Sequence, residues 1–353
     1  MKKLLNYSLS IVIVGCLAAC SKSSNAPSGP RVATISVFAG SGTLGGSDGI
    51  GVSAQFGDPN GLALDQSGNL YVGDENNAMI RKITSAAVVT TLAGSFEKYG
   101  YADGTGAVAR FFGPAGVATD ASGNIYVTDQ INHDIRKITP AGVVTTLAGG
   151  NEGYADGMGS QAEFSSPSGV AIDVAGNLYV TDTYNHRIRK ITPDGVVTTL
   201  AGSGPTGAGN GGYADGQGTT QAQFNSPAGI AIDPSGNLYV ADFNNSKIRK
   251  ITPSGIVSTI AGSVDGEADG QGTAAEFGGP TGIALDKSGN IYVTDRLSTV
   301  REINKAGLVT TIAGAIGTPT AGTFSQPTGI AVDPSGTIYV ADASNQVIYK
   351  ITF

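Results

Sequence analysis

Two sets of aspartates recur along the chain. A carboxylate at such a position can either stabilise a turn or, together with others, bind a cation. The first set leads an Asp-Gly-x-Gly string and comprises Asp48, Asp103, Asp156, Asp215 and Asp269. The second set ends a short apolar run and comprises Asp74, Asp129, Asp182, Asp242, Asp295 and Asp342. Clustered carboxylates suit a hard cation such as Ca²⁺, whereas a lone Asp beside glycines favours a capped turn. One Asp per string favours turns, and a calcium site stays open as the alternative.

Histidine and cysteine are scarce, which limits the metal and nucleophile chemistry of the chain. The histidines are His133 and His186, so one chain lacks the ligands for a three-histidine zinc site. We predict neither catalytic residues nor a cofactor, and we leave the identity of any metal open. We expect ligand binding on loops that carry Asp103, Asp156, Asp215, Asp269, Asp129, Asp182, His133 and His186.

The elements that position these residues follow from an internal repeat. The string Phe-x-x-Pro-x-Gly occurs six times, at 56–61, 111–116, 164–169, 224–229, 277–282 and 324–329. Each copy opens a unit of four short runs rich in Val, Ile, Tyr and Thr, bounded by Gly, Pro, Asn or Asp, which is typical of strands. The fold class is therefore predicted as all-β, a six-bladed β-propeller of four-stranded antiparallel blades.

The two ends of the repeat region indicate how the ring closes. The sixth unit stops at Phe353 after its third strand, and a run resembling the absent fourth strand, Ile35 to Gly40, precedes the first unit. We therefore predict that the N-terminal strand completes the last blade. This arrangement pairs strand edges that would otherwise invite association, and it makes residues 31–353 one domain.

Residues that appear in most or all units are expected to have structural roles. The Tyr of each second strand and the Phe of each string should pack between blades, and the Asp that ends each first strand should hold a turn. The basic pairs Arg136-Lys137, Arg189-Lys190 and Arg249-Lys250 are expected on the outer wall. The loop-bearing face would then be acidic.

The units resemble the NHL repeat family, whose blades carry Asn-His before the third strand. This chain has the pair at Asn132-His133 and Asn185-His186. The resemblance spans residues 31–353 and implies a recognition platform. Some six-bladed relatives are metal-dependent lactonases or amidating lyases, so a metal-dependent enzyme of that kind remains the alternative function.

The N-terminus has the layout of a bacterial lipoprotein signal. Lys2 and Lys3 precede an apolar stretch too short to span a membrane, and the segment ends Leu17-Ala18-Ala19-Cys20. We predict a signal peptide over 1–19, lipidation of Cys20, and a flexible tether over 20–30. Ser21 after the cysteine favours the outer membrane of the bacterial cell envelope.

Composition narrows the remaining functions. The chain has 53 Gly in 353 residues and is 40% hydrophobic, which favours a folded, turn-rich domain over disorder. Its net charge of −7 argues against nucleic-acid binding. We predict a monomeric, membrane-anchored extracytoplasmic binding or scaffold protein whose loop face recognises a protein, a glycan or another envelope ligand.

Overall fold

Six antiparallel sheets form the folded part of the chain. The computed structural model describes residues 33–314 and 323–353, so the predicted signal peptide, the tether and Cys20 lie outside the described residues. Each sheet is a blade, and the first strand of each blade contacts the first strands of both neighbouring blades. This contact pattern is cyclic, since the last blade also meets the first, and the prediction of a six-bladed propeller is confirmed.

Each blade runs outward from the axis in four main strands. The first strands are Pro59–Leu64, Pro114–Thr119, Pro167–Ile172, Pro227–Ile232, Pro280–Leu285 and Pro327–Val332. The second strands are Leu70–Asp74, Ile125–Asp129, Leu178–Asp182, Leu238–Asp242, Ile291–Asp295 and Ile338–Asp342. The third strands are Met79–Ile83, Asp134–Ile138, Arg187–Ile191, Lys247–Ile251, Thr299–Ile303 and Val347–Thr352. The fourth strands are Val88–Gly94, Val143–Gly149, Val196–Ala201, Ile256–Ala261, Leu308–Ala313 and, for the last blade, Thr34–Ala39.

The prediction of four-stranded blades is wrong for the first five blades, which have a fifth strand. The fifth strand is formed by the segment that leads into each blade, and it pairs with the fourth strand of the same blade. The five short strands are Gly49–Ile50, Gly104–Thr105, Gly157–Met158, Gly216–Gln217 and Gly270–Gln271. Two-residue strands are too short to show an alternating pattern, so the sequence did not reveal them. Short 3-10 turns lie at Gly51–Ser53, Glu75–Asn77, Gly106–Val108, Gly159–Gln161, Thr183–Asn185, Phe243–Asn245 and Gly272–Ala274.

The ring closes as predicted, through the two ends of the described domain. Strand Thr34–Ala39 lies antiparallel to Val347–Thr352, with Ile35 opposite Ile351. A register shift between Val37 and Ala39 bends this strand at its end. The last blade is therefore built from both ends of the propeller.

Glycines bring the six first strands close together at the axis. A Cβ atom on Gly116 would lie 2.1 Å from the Ser168 carbonyl oxygen, and one on Gly329 would lie 2.1 Å from that of Asn60. Only a residue without a side chain tolerates this approach. The requirement explains why every repeat has Gly at this position, and it leaves the channel at the axis narrow.

Aromatic side chains fill the junctions between blades, as the repeat predicted. Phe56 is fully buried in a cluster with Leu70 of its own blade and Tyr339 and Ile348 of the last blade. Burying one such ring contributes roughly 1.5–3 kcal/mol. The predicted turn is also present, because Asp65 accepts hydrogen bonds from backbone N–H groups and from a tyrosine hydroxyl of the second strand.

Removing residues 31–40 should destabilise the closed ring, because the third strand of the last blade loses its partner. We expect a lower melting temperature and concentration-dependent association by light scattering, since an unpaired strand edge is exposed. Removing residues 21–30 is the matched control and should change neither measurement. A monomer that still unfolds cooperatively at the original temperature without residues 31–40 would contradict this closure.

Candidate functional site

A buried arginine in each of the first five blades ties the loops at one end of the propeller together. In the second blade, Arg136 Nη2 lies 2.7 Å from Asp103 and Nη1 lies 3.1 Å from Asp129. Asp103 belongs to an Asp-Gly loop, whereas Asp129 ends the second strand. The two predicted sets of loops thus emerge at the same end, which we call the loop face. The five arginines are Arg81, Arg136, Arg189, Arg249 and Arg301.

The prediction that Arg136, Arg189 and Arg249 lie on the outer wall is wrong. Arg189 is completely buried; its guanidinium donates to the carbonyls of Glu163 and Ala155 and lies 5.0 Å from the ring centre of Phe164. The neighbouring Lys190 points the other way, across the ring of Tyr179. Successive residues of a strand face opposite sides, so one member of each basic pair is buried. The loop face is correspondingly less acidic than predicted.

The Asp-Gly carboxylates are shared between the arginine and the fourth strand. Asp103 accepts hydrogen bonds from the backbone N–H and the hydroxyl of Thr146, in addition to Arg136. It does not cap the 3-10 turn that follows, so that part of the turn prediction is wrong. Its side chain is 46% exposed. The other members of this set contact the corresponding arginine and Thr in the same way, at Asp48, Asp156, Asp215 and Asp269.

The second set of aspartates lies beneath the loop face. Asp182 is fully buried and accepts hydrogen bonds from Arg189, Asn185 and the backbone N–H of Ser165. Burial raises the pKa of Asp182 to about 6, because the loss of hydration outweighs the attraction of the arginine. Asp129 has the same environment and is also fully buried.

The last blade replaces the ion cluster with uncharged groups. Tyr349 occupies the arginine position, and its hydroxyl donates to the Thr323 carbonyl. Among the residues that the structure describes, Asp342 accepts from backbone N–H groups and the amide of Asn345. The corresponding Asp-Gly string is absent from the sequence, which reads Ala-Ile-Gly-Thr at 315–318, outside the described residues. The sequence therefore lacks the loop carboxylate in the one unit that lacks the arginine.

The two histidines link neighbouring blades. His133 accepts a hydrogen bond from the Ser166 N–H through Nδ1, and His186 accepts one from the Ser226 N–H in the same way. His186 Nε2 lies 2.9 Å from the Gly207 carbonyl oxygen and therefore donates to it. Burial lowers the pKa of His186, which favours this neutral form. Gln346 takes the same role between the last blade and the first.

Asp134 is a buried acid whose carboxylate oxygens receive no hydrogen bond from the described residues. It begins the third strand of the second blade, and Arg136 Nε lies 3.9 Å from its Oδ1. Burial, followed by the nearby charge of Asp129, raises its pKa well above the usual range. Met79 stands at the equivalent place in the first blade. Thr299 and Val347 hold this position in the fifth and last blades, whereas Arg187 and Lys247 hold it in the third and fourth, so Asp134 is the only acid among the six.

A cavity of about 360 Å³ opens at the mouth of the central channel on the loop face. Its walls come from all six blades, and the glycines of the first strands form its floor. The side chains that line it are Asn60, Ser168, Thr183, Tyr184, Ser226, Ala228, Phe243, Asn244, Thr281 and Thr328. Below the glycines the channel narrows to a ring of Leu, Val and Ile side chains.

None of the eight residues predicted to bind ligand lines this cavity. The structure gives each of them a contact that holds loops or blades together, and ligand binding by them stays a prediction. The residues that sequence reasoning missed are above all Tyr184, Phe243 and Asn244. Tyr184 and Phe243 differ from their counterparts in every other unit, whereas Asn244 matches Asn76 of the first unit. The sequence feature that could have identified them is that residue types vary between units at the positions just after the second-strand Asp.

Within residues 33–314 and 323–353, no group of three or more His, Cys, Asp or Glu side chains is arranged to hold a metal ion. The same part of the chain contains no helix with the length and apolarity needed to cross a bilayer.

Replacing Arg189 with Met should lower the free energy of unfolding by about 3–5 kcal/mol, because Asp182 is left buried without its counter-charge. Urea denaturation followed by circular dichroism measures the change. Lys190→Met is the matched control on the opposite face of the same strand, and we expect it to stay within about 0.5 kcal/mol of the parent protein. Equal effects of the two substitutions would contradict the buried cluster.

Replacing Asp134 with Met should stabilise the protein, and more so as the pH rises. An aspartate in the unfolded chain ionises near pH 4, whereas folded Asp134 keeps its proton to a higher pH, so the native protein loses stability between pH 4 and neutral pH. We expect a gain of about 1–3 kcal/mol at pH 7.5 and a smaller one at pH 4.5, by urea denaturation. Asp194→Asn, in an exposed turn, is the control. A gain that is the same at both pH values would contradict a buried, protonated Asp134.

Comparison with known proteins identifies the repeat. The NHL repeat model matches residues 56–83, 164–191, 224–251, 277–298 and 324–348. The chloroplastic protein SUPPRESSOR OF QUENCHING 1 of Arabidopsis thaliana is 38% identical over 137 residues, which are 36% of this chain and 12% of that protein. Human NHL repeat-containing protein 2 is 36% identical over 137 residues, which are 35% of this chain and 18% of that protein. The chain thus matches less than a fifth of the length of either relative.

Solved structures share the fold at low sequence identity. An auxiliary nutrient binding protein from Bacteroides ovatus superposes with a TM-score of 0.67 and 18% identity, over 91% of this chain and 76% of that one. A streptogramin B lyase superposes with a TM-score of 0.56 and 16% identity, over 91% of this chain and 97% of that one. The chain thus contains NHL repeats, and its fold is that of a six-bladed β-propeller.

Proposed function

We propose that this protein is an extracytoplasmic binding protein whose loop face recognises its ligand around the mouth of the channel. The observation that carries the proposal is a contrast between positions of the repeat. The residue after each second-strand Asp stands at the loop face and differs in every blade: Glu75, Gln130, Thr183, Phe243, Arg296 and Ala343. Packing of six alike blades needs no such variety. A ligand without six-fold symmetry does need it, because it presents different chemistry to each blade.

The remaining features fit a tethered receptor. Cys20 would carry the lipid and residues 20–30 would form the tether, which places the domain at the bacterial cell envelope, on the outer membrane. Asp103, Asp156, Asp215 and Asp269 would form part of the exposed rim, while Asp129 and Asp182 would support it from beneath. The auxiliary nutrient binding protein of the same fold supports a binding role. The partner is a protein, a glycan or another envelope component, and the receptor is a monomer.

Capture from envelope extract tests this proposal. The chain from residue 21 onward is immobilised and the retained material is identified by mass spectrometry and sugar analysis. We expect Phe243→Ala, at the mouth, to reduce retention of the ligand at least about tenfold. The matched control is Phe353→Ala, an exposed phenylalanine at the opposite end of the propeller, which should retain the ligand fully. Identical retention by both variants would exclude the mouth as the binding site.

A further inference from the structure

Within residues 33–314 and 323–353, the side chains that line the mouth cavity are all uncharged. They comprise amides, hydroxyls, alanine and two aromatic rings, and this described lining contains no Asp, Glu, Lys, Arg or His. The carboxylate of Glu75 lies behind the lining residue Asn60, which donates a hydrogen bond of 2.7 Å to it. A charged ligand that left water for this cavity would find no opposite charge to compensate its desolvation. The lining therefore selects an uncharged ligand.

Three hydroxyl groups in the lining have already committed their hydrogens to the fold. Thr183, Thr281 and Thr328 each donate to the carbonyl of the proline that begins the next blade. The Asn244 amide nitrogen donates to Asn225 and Ser226. At these four residues, the atoms left for a ligand are the lone pairs of the hydroxyls and the side-chain oxygen of Asn244, which only accept. The hydroxyls of Ser168, Ser226 and Tyr184 in the same lining can both donate and accept. A ligand that satisfies the acceptor atoms must bring several hydrogen-bond donors.

Aromatic rings form one side of the cavity. Tyr184 of the third blade and Phe243 of the fourth blade line it, and Tyr184 is 44% exposed. The Arg296 guanidinium lies 5.5 Å from the ring centre of Phe243 and supports that ring from the neighbouring blade. A preorganised aromatic surface beside acceptor groups suits a molecule with one apolar face and many hydroxyls.

We infer that the mouth cavity binds a neutral carbohydrate, an inference that rests on the proposed binding function. Sugar hydroxyls donate to the acceptors of the lining and accept from its serine and tyrosine hydroxyls, and the C–H face of a pyranose ring stacks on Tyr184 or Phe243. A volume of about 360 Å³ is at the lower end for ligand sites, which limits the bound part to one or two sugar units. A purely apolar ligand would instead leave the lining oxygens without partners.

Further aromatic rings continue outward from the cavity on the same two blades. Tyr154 and Tyr213 lie over the buried Arg189 and Arg249, and each is about half exposed. Their hydroxyls are held by Thr199 and Thr259, so the rings keep a fixed orientation at no further entropic cost. An oligosaccharide that extends from the cavity over this part of the loop face gains additional stacking contacts.

Titration calorimetry of the chain from residue 21 onward with glucose, N-acetylglucosamine, maltose and cellobiose tests the inference. We expect at least one of these sugars to bind, and Phe243→Ala to weaken its binding at least about tenfold. Phe243→Tyr keeps the aromatic ring and should retain the affinity, as should the control Phe353→Ala. Melting curves of each variant confirm that it is folded. Tyr154→Ala should weaken binding of longer oligosaccharides of the same sugar while leaving the short ones unchanged.

The outcomes separate the ligand class from the binding function. Should the sugars not bind while Phe243→Ala abolishes capture of a protein or a charged molecule from envelope extract, the carbohydrate inference is wrong and the binding function stands. Sugar binding that is equally strong in Phe243→Ala would move the site away from the mouth and overturn the inference. If Phe243→Ala changes neither sugar binding nor capture, both proposals fail.

Discussion

A guanidinium group enclosed by two carboxylates supports the loop face in each of the first four blades, and in the fifth blade Arg301 contacts the loop carboxylate of Asp269. The arginine comes from the third strand, one carboxylate ends the second strand, and the other belongs to the segment that enters the blade. Because a buried charge is costly without its partners, these three segments are held in one arrangement. The loops that surround the channel mouth therefore stand on a fixed base, which is what a preorganised binding face requires.

The last blade shows that the members of this cluster depend on one another. Tyr349 replaces the arginine, and the sequence at 315–318 lacks the loop carboxylate that the arginine would have neutralised. The remaining aspartate, Asp342, is satisfied by uncharged donors. This blade is also the one assembled from both ends of the domain. The two ends of the domain are accordingly joined by backbone hydrogen bonds and apolar contacts. Pairing them does not require the desolvation of an arginine side chain.

Sequence reasoning succeeded where the signal is local or repeated. The strands, the turn held by Asp65 and the closing strand near Ile35 follow from short patterns whose meaning does not depend on distant residues. The burial of Arg189 does depend on distant residues, because Asp156 lies 33 positions away in sequence. The alternation of Arg189 and Lys190 shows only that the two side chains face opposite ways. Which of them is buried is decided by the carboxylates that the fold brings to that face.

The candidate site was missed because a search for repeats finds the residues that build the fold. Each first strand has its glycine against the carbonyl of the next blade, so backbone surrounds the axis at the level of the glycines, and below them the channel is lined by Leu, Val and Ile side chains. Varied chemistry is therefore confined to the mouth, where residues such as Thr183 and Phe243 differ between blades without disturbing the packing beneath them. In this propeller, the positions that repeat make the contacts that hold the ring together, and those that do not repeat include the positions at which we propose that a ligand binds. Phe243 belongs to the second class, although its counterparts in the other blades share its place in the backbone.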